Sequence, residues 1–430
     1  MTAGAVVEEI PGVVAEPLQG AKRIRLLLYA GVPILIINFA APYQGLIGLP
    51  IVFFLKNRLH LTAPETAKFN LIVAIPLFIG FVFGFIRDRW SPFQGDRGHL
   101  VVFGLACAVL YVVLAYAPPT YAVWVVGGTL LVALMQFVAG AAAGLASAVG
   151  RHHAMAGQMS TVMNVATLAP QFMAMLLGGI LAGFLEGAQA VTAARTLFLL
   201  GAGLMLVMTA FGALGPRRLF DDAMAGAETR RLTLGADIAR LIKTWAVWPV
   251  VIIQLLWQFG PAAGLALQYH MANELHASDA QVGAFFAIFY GGFIPMFLLY
   301  GFLARRLRLG ALLWIGAIMA VPQMVSLLFI HSAGGALLAA IPLGLLGGIG
   351  QAAFTDLAIR SCPKGLEGTM MMLFLALFWI SQRFGDLWGA NLYSSPGGYN
   401  LTVYVTIALY AAILPVILLV PKAIKAGRDA

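Results

Sequence analysis

The sequence predicts an all-α integral membrane protein with twelve transmembrane helices in two six-helix, pseudo-symmetric halves. Hydrophobic residues make up 61% of the 430-residue chain and charged residues only 10%. The mean hydropathy of +0.92 lies outside the range of soluble domains. Apolar segments of about 20 residues, long enough to cross a bilayer, recur along the chain. A short basic motif that follows the second segment recurs about half a chain later, which indicates an internal duplication.

Each apolar segment is expected to be a helix, because lipid offers no other partners to backbone N–H and C=O groups. The predicted spans lie near 26–55, 64–86, 100–117, 121–149, 158–185, 191–214, 245–269, 280–303, 309–330, 335–358, 367–392 and 401–420. The first is overlong and contains three prolines, so we expect a kinked helix there rather than two spans.

Two stretches support the duplication. The first motif, GFIRDR from Gly84, matches GFLARR from Gly301. The runs 57–62 and 273–278 also match, and each opens a helix with a capping box. The expected organisation is a disordered cytoplasmic tail (1–22), a first bundle (23–215), a cytoplasmic linker with an amphipathic helix in its second part (216–243), a second bundle (244–422) and a cytoplasmic tail (423–430).

Charge sets the expected orientation. Most of the 26 Lys and Arg residues fall in loops on one side, which predicts that both termini are cytoplasmic and the membrane is the inner one. The net charge of +9 is therefore a topology signal, and no nucleic-acid partner is expected. The two cysteines have no metal-ligand spacing, and no Walker loop is present. We expect a monomer with no cofactor, no metal and no enzyme activity.

Uncharged polar residues inside the predicted spans are candidates for a substrate site. As single residues, such amides usually act as hydrogen-bonding links between helices. Because they occur in both halves, a shared wet cavity is the better interpretation of the whole set. The candidates are Asn38, Gln136, Asn164, Gln171, Gln254, Gln258 and Gln351.

Helix 11 carries Trp379, Gln382, Arg383 and Asp386 at spacings of three and four, so they share one arc. Charged residues at this depth are costly and need partners. In one interpretation, Arg383 anchors an anionic or planar substrate beside Trp379, and Asp386 couples transport to protons. In the other, Arg383 and Asp386 form an intrahelical pair that is only structural. Asp356 is a second proton-coupling candidate, although it lies one turn from Arg360 and can simply pair with it.

The loop after the second span resembles the loop between helices 2 and 3 of major facilitator transporters. Gly84, Asp88, Arg89, Gly95 and Arg97 carry this resemblance. It implies a conformational gate, to which we assign Gly84, Asp88, Arg89, Arg97 and, in the repeat, Arg305 and Arg306. In the fold that this resemblance implies, the N-terminus of helix 11 lies close to the end of helix 2, so Asp88 is expected near residues 367–370, where the helix dipole favours negative charge.

Three runs resemble the folate–biopterin transporter branch of that superfamily: residues 53–62, the Asp88–Arg97 loop, and CPKGLEGT from Cys362 to Thr369. The resemblance implies a proton-coupled carrier of pterins or folates. From the residues themselves we expect a secondary carrier of a small organic anion, with protons and the lipid bilayer as its other partners. The alternative is a non-transporting assembly factor or sensor on the same scaffold.

Overall fold

The computed structural model describes residues 20–43, 63–93, 95–118, 120–186, 190–225 and 234–429, together with the single positions 18, 47, 48 and 51. Within these residues the chain is helical, with short turns and no strand. The helices of the first half are α1 (Gly20–Ala40), α2 (segments Ala63–Val73, Ile75–Phe78 and Gly80–Arg89), α3 (Gly95–Tyr116), α4 (Tyr121–His152), α5 (Ala156–Glu186) and α6 (Ala190–Leu214).

The second half repeats this order. Its helices are α7 (Val247–Gln258, resuming as Leu265–Tyr269 and a π-helical turn, His270–Glu274), α8 (Asp279–Leu303), α9 (Leu309–Val325, ending in the 3-10 turn Ser326–Phe329), α10 (Ala333–Ser361), α11 (Glu367–Tyr393) and α12 (Gly398–Ala411 and Ile413–Leu419). Between the halves lie the linker helices Arg217–Ala225 and Leu234–Lys243, and Lys422–Ala426 follows α12.

Ten helices of the described chain are long and apolar enough to cross a membrane, or up to 11 if a pair bent by 75° at the start of α7 is one span. The predicted α2 and α7 spans are instead divided into shorter segments. With these two counted, the helices fall at the twelve predicted places, and most ends agree within a few residues. The all-helical fold class is thus confirmed.

Two predicted spans differ from the structure. The first helix ends at Ala40 rather than near 55, because Pro42 follows two residues later and lacks a backbone N–H. Residues 44–46, 49–50 and 52–62 lie outside the described chain. The seventh span breaks between Gln258 and Leu265, where Gly260, Pro261 and Gly264 disfavour a continuous helix.

The linker is more ordered than the sequence analysis expected. Its second part forms the helix Leu234–Lys243, as predicted, but the first part is also helical, at Arg217–Ala225. At the start of α8, Ser278 and Gln281 form the predicted capping box. The equivalent box at 62–65 includes Thr62, which lies outside the described residues.

The two halves meet where α2 packs against α11 and α5 packs against α8 and α10. Glycines allow this close approach. A Cβ atom on Gly84 would lie 2.4 Å from the carbonyl oxygen of Gly368. On the repeat glycine, Gly301, it would lie 2.8 Å from the Thr161 hydroxyl. The repeated glycines are therefore contact points between the halves.

Candidate transport site and gate

The end of the bundle that carries the α2–α3 turn, the linker helices and residues 422–429 is called the basic end below. There, Asp88 binds the start of α11. Its carboxylate accepts hydrogen bonds from the backbone N–H groups of Gly368 (3.0 Å) and Thr369 (2.6 Å), and from the Thr369 hydroxyl (2.7 Å). The contact expected between Asp88 and residues 367–370 is confirmed, and it joins the two halves.

Arg87 holds the Asp88 carboxylate in place. Its guanidinium donates to Asp88 at 2.5 Å and to both oxygens of Asp96, at 2.6 and 2.5 Å. All three side chains are nearly buried, so the two carboxylates share one cation in a setting of low dielectric. Neither Arg87 nor Asp96 was among the predicted gate residues.

The other predicted gate residues of the first half attach the linker. Arg89 forms an ion pair with Asp237 of the second linker helix at 2.7 Å. Arg97 donates to the carbonyl oxygen of Gly215 at 2.6 Å and lies over the Phe220 ring. These contacts fix the linker to the α2–α3 turn.

Arg305 and Arg306, the predicted gate residues of the repeat, are exposed. The Arg306 guanidinium lies 4.2 Å from the centroid of the Phe302 ring. In the described chain neither forms an ion pair, so Arg305 and Arg306 do not reproduce the contacts that Arg87 makes in the first half.

The run Cys362–Thr369 is the centre of contacts between halves at the basic end. Arg151 of α4 donates to the Cys362 carbonyl oxygen and forms an ion pair with Glu367 at 3.3 Å. Arg240 donates to the Lys364 carbonyl oxygen at 3.2 Å. Burial, and to a lesser degree the nearby Glu367, raise the pKa of the Cys362 thiol well above its ordinary value. The cysteine is therefore protected while this end is closed.

Asp356 belongs to the basic end rather than to a central site. It is fully buried, and its carboxylate accepts from Arg360 at 2.6 Å and from the Tyr300 hydroxyl at 2.8 Å. The pairing of Asp356 with Arg360 that the sequence left open is therefore found. The structure adds Tyr300, which the sequence analysis did not consider.

Midway along the bundle, several buried polar groups have no hydrogen-bond partner in the described chain. They include the indole N–H of Trp379 in α11 and the amide oxygen of Gln254 in α7. The fully buried amide of Gln136 in α4 lies beside Tyr43, its side-chain hydrogen-bond partner. Gln136 and Trp379 each lie at the middle of their helix, and they come from different halves. Unsatisfied groups of this kind cost about 1–3 kcal/mol each unless water or a ligand satisfies them.

A second polar cluster joins α7 and α10. The Gln351 amide oxygen accepts from the Trp257 indole N–H at 2.6 Å and from the Gln258 amide at 3.1 Å. One turn further, the Thr355 hydroxyl donates to Asn164 of α5 at 3.5 Å. The structure thus brings together three predicted site residues, Gln258, Gln351 and Asn164, and adds Trp257 and Thr355.

The remaining predicted amides differ in their surroundings. The Asn38 amide donates to the Ile34 carbonyl oxygen of its own helix at 2.8 Å. Gln254 donates to the Phe374 carbonyl oxygen at 3.1 Å, a link between α7 and α11. Gln171 in α5 and Gln382 in α11 are half-buried.

Arg383 and Asp386 do not form the intrahelical pair that one interpretation required. In the described chain no ion pair joins them, and the Arg383 side chain is exposed. The Asp386 carboxylate instead accepts from the backbone N–H of Leu265 at 3.1 Å, where α7 resumes after its break. Sequence analysis missed this contact because the break in α7 was not predicted. Trp379, one turn from Arg383, packs edge-on against Tyr43 of the other half at 5.6 Å between centroids.

Comparison with solved structures shows which fold this chain shares. It superposes on the major facilitator transporter FucP in its outward conformation (TM-score 0.67, 11% identity, 92% of this chain and 98% of that one). It also superposes on the proton:xylose symporter XylE (0.68, 13%, 94% and 97%) and the human organic anion transporter MFSD10 (0.62, 16%, 94% and 100%). At these identities the likeness shows the fold alone, which is that of major facilitator transporters.

In sequence, the chain is 32% identical over 111 residues to sugar efflux transporter B of Salmonella typhimurium. The match covers 25% of this chain and 28% of that protein, so it spans little more than a quarter of the relative. No family model matches the chain. The resemblance to folate–biopterin transporters thus stays a prediction.

Proposed function

We propose that this protein is a secondary active transporter that moves a small organic solute across the membrane by alternating access. The observation that carries the proposal is the set of buried polar groups at mid-depth. The Gln136–Tyr43 pair comes from one half, and the unpartnered groups of Trp379 and Gln254 come from the other. A pure scaffold has no use for such groups, whereas a carrier uses them to bind a solute between its halves.

Closure at one end supports the same function. Hydrogen bonds join the halves at two places: Asp88 accepts from Thr369, and Arg151 donates to the Cys362 carbonyl oxygen. Gln351 lies ten residues before the end of α10, about 15 Å from the basic end at the helical rise and so near the bilayer centre. A closed basic end with a polar centre corresponds to one state of an alternating-access cycle. By the distribution of Lys and Arg, we place this end and both termini in the cytoplasm.

An anionic solute is the first candidate substrate. Arg383 forms no ion pair with Asp386 in the described chain, and it lies one helical turn from Trp379, so its planar guanidinium is available to an anionic group. Proton coupling would then involve Asp386, since protonation of its carboxylate would weaken the bond to Leu265 and loosen the break in α7.

A neutral solute is the second candidate. The polar cluster between α7 and α10 (Gln351, Gln258 and Trp257) carries no charge. One turn from Gln351, α10 contacts α5 of the other half, so this uncharged cluster lies close to the boundary between the halves. The partial likeness to a sugar efflux transporter favours the same class.

The proposal can be tested by ligand stabilisation and by exchange. Purified protein is screened by thermal shift against organic anions, pterins, folates, sugars and amino acids, because a ligand of the folded state raises the melting temperature. Each compound that does so is then tested for counterflow in proteoliposomes, with Gly203→Ala as a silent control, since nothing lies within 4 Å of a Cβ there. Counterflow of a stabilising compound supports transport. Stabilisation without exchange for every such compound would favour the sensor alternative.

A further inference from the structure

The orientation of the Gln351 side chain can be read from its partner. An indole N–H can only donate, so the atom that faces Trp257 Nε1 at 2.6 Å must be the amide oxygen. The Gln351 amide nitrogen therefore points the other way, and it donates to no described residue. Trp257 is itself fixed, because Tyr410 stacks on its ring and donates to its carbonyl oxygen at 2.9 Å.

The neighbouring glutamine is oriented by the same oxygen. Gln258 donates its amide N–H to Gln351 Oε1 at 3.1 Å, so its own oxygen faces away and accepts from no described residue. Together the two half-buried glutamines present one donor, Gln351 Nε2, and one acceptor, Gln258 Oε1. Two adjacent groups of opposite kind suit a solute that carries its own acceptor beside a donor.

This pair faces the other half of the bundle rather than lipid. Thr355, one turn from Gln351, reaches Asn164 of α5, and Ala352 accepts from Ser160 of α5 at 2.6 Å. The half-buried Gln351 thus lies beside the seam between the halves, where a carrier binds its solute.

We infer that Gln351 and Gln258 recognise a neutral group with adjacent hydrogen-bond acceptor and donor, such as a primary amide or a vicinal diol, and that Trp257 is the positioning residue that fixes their polarity. The inference rests on the proposed transport function and narrows its substrate class. It favours the neutral candidate at this position, whichever charge the rest of the solute carries.

The test uses matched probes in which a primary amide is exchanged for a carboxylate: nicotinamide with nicotinate, and benzamide with benzoate. Binding to wild-type protein is measured by thermal shift and calorimetry. The neutral member of a pair should bind more tightly. Trp257→Phe, which keeps the ring but frees the Gln351 amide to turn, should reduce that preference roughly tenfold, as expected for one lost hydrogen bond. Gln351→Glu, which replaces the donor by an acceptor, should do the same. Trp388→Phe, a change to an exposed indole on α11, is the matched control.

Equal binding of both members of each pair, or a preference that survives Trp257→Phe, overturns the inference but leaves transport untouched. Preference for the anionic members also overturns it and favours the site at Arg383. If none of the four probes binds, the inference fails for these groups, and the transport proposal is decided separately by the wider solute screen.

A different set of contacts carries a second inference, on the closure of the repeat. The Asp429 carboxylate accepts from the backbone N–H groups of Gly157 (3.1 Å) and Gln158 (2.9 Å), the second and third residues of α5. Asp88 binds the second and third residues of α11 in the same manner. Asp429 is buried and paired with Arg360 at 2.6 Å, as Asp88 is paired with Arg87.

The repeat has no carboxylate of its own at this place. In the aligned motifs, GFIRDR and GFLARR, Asp88 corresponds to Arg305. Arg305 acts electrostatically on Arg23, which donates to Gln158 at 2.8 Å, so the position lies near the start of α5. We propose that Asp429 replaces the missing aspartate of the repeat and locks α5 against the second half when the basic end is closed.

The native Cys362 reports on this closure, because it is buried at the basic end. In a Cys107→Ser background, Asp429→Asn should speed maleimide labelling of Cys362 several-fold, with the exposed Asp221→Asn as a control. Adding Arg305→Asp to that variant should slow labelling again. Size-exclusion profiles and melting temperatures establish that each variant is folded. Labelling of Cys362 at the wild-type rate in Asp429→Asn overturns the proposed lock. If Arg305→Asp does not slow the labelling of Cys362 again, the correspondence between position 305 and Asp88 is overturned.

Discussion

The Asp88 carboxylate accepts hydrogen bonds from both the backbone N–H and the side-chain hydroxyl of Thr369, which belongs to the opposite half of the protein. The N-terminus of α11 favours a negative charge, and Asp88 supplies it from a side chain that is almost wholly buried. Removal of the charge should therefore weaken the closed state more than a surface substitution would.

We expect Asp88→Asn to be expressed and inserted normally but to lose uptake, because a closed state stabilised by charge-assisted bonds loses about 1.5–3 kcal/mol. Cys362 should then react faster with a maleimide, while the denatured protein reacts equally in both forms. Wild-type uptake by a well-inserted Asp88→Asn protein would contradict the assignment of this residue to the gate.

Gly84→Ala should also disfavour closure, through steric contact rather than charge. Its Cβ would lie 2.4 Å from the Gly368 carbonyl oxygen, a backbone atom that cannot turn aside. Gly203→Ala in α6 is the matched change, since open space surrounds that Cβ. We expect the first to abolish counterflow and the second to leave it unchanged. Equal counterflow by the two variants would show that transport does not require the close packing of α2 against α11 at Gly84.

Gln136→Leu combined with Tyr43→Phe should leave the protein at least as stable as the wild type while it impairs transport. The Gln136 amide is fully buried beside Tyr43, and replacing both polar groups of a buried pair by apolar groups of similar shape is nearly neutral or stabilising. The measurements are the melting temperature without ligand and the rate of counterflow. A fall in both would indicate that this pair has a further structural role instead of a solute.

Arg383→Gln and Asp386→Asn should be only weakly coupled in their effects on stability. No ion pair joins the two residues in the described chain, although Arg383 acts electrostatically on Asp386, so the double variant should differ from the sum of the single losses by only about 0.2–0.5 kcal/mol. Arg383→Gln, at an exposed position, should be nearly neutral for stability, whereas Asp386→Asn should cost more because it weakens the bond to Leu265. Recovery of stability in the double variant would restore the structural pair as the better interpretation.

The proposed function gives the same two residues different roles in transport. If the proposal is right, Arg383→Ala abolishes binding of an anionic solute, and Arg383→Lys restores little of it, because an ammonium cannot replace the planar guanidinium. Asp386→Asn should keep counterflow while it loses uptake driven by a pH gradient. Calorimetry and vesicle uptake measure the two effects, and gradient-driven uptake by Asp386→Asn would remove this residue from proton coupling.

The helices were predictable because lipid imposes the same requirement on every span, and hydropathy records it directly. The contact of Asp88 with α11 was also predictable, because the resemblance to major facilitator transporters implies that the start of α11 lies beside this loop, and helix polarity favours a carboxylate there. By contrast, the break in α7 depends on Gly260, Pro261 and Gly264 acting together, and proline alone did not interrupt α5, α8 or α10.

The site was harder to predict for a different reason. Hydropathy identifies polar residues in a span but not their direction, so Gln351 and Gln258, which meet, looked no different from Asn38, which bonds to its own helix. Arg383 and Asp386 looked like a pair because they are three residues apart, yet Asp386 bonds to a backbone group 121 residues away in sequence. Trp257 carried a signal that could have been used, since a donor-only indole stands beside a glutamine in the same polar stripe.

The two aspartates that hold the basic end closed become available at different times during synthesis. Asp88 is synthesised early, and its partner Gly368 at the start of α11 is synthesised 280 residues later. Asp429 is separated by 272 residues from Gly157, and it leaves the ribosome after every helix of both halves has been made. A nascent chain can therefore insert all of its spans before the contact between Asp429 and α5 forms. On the proposed lock, the closed state of the basic end is complete only once the Asp429 carboxylate binds the start of α5.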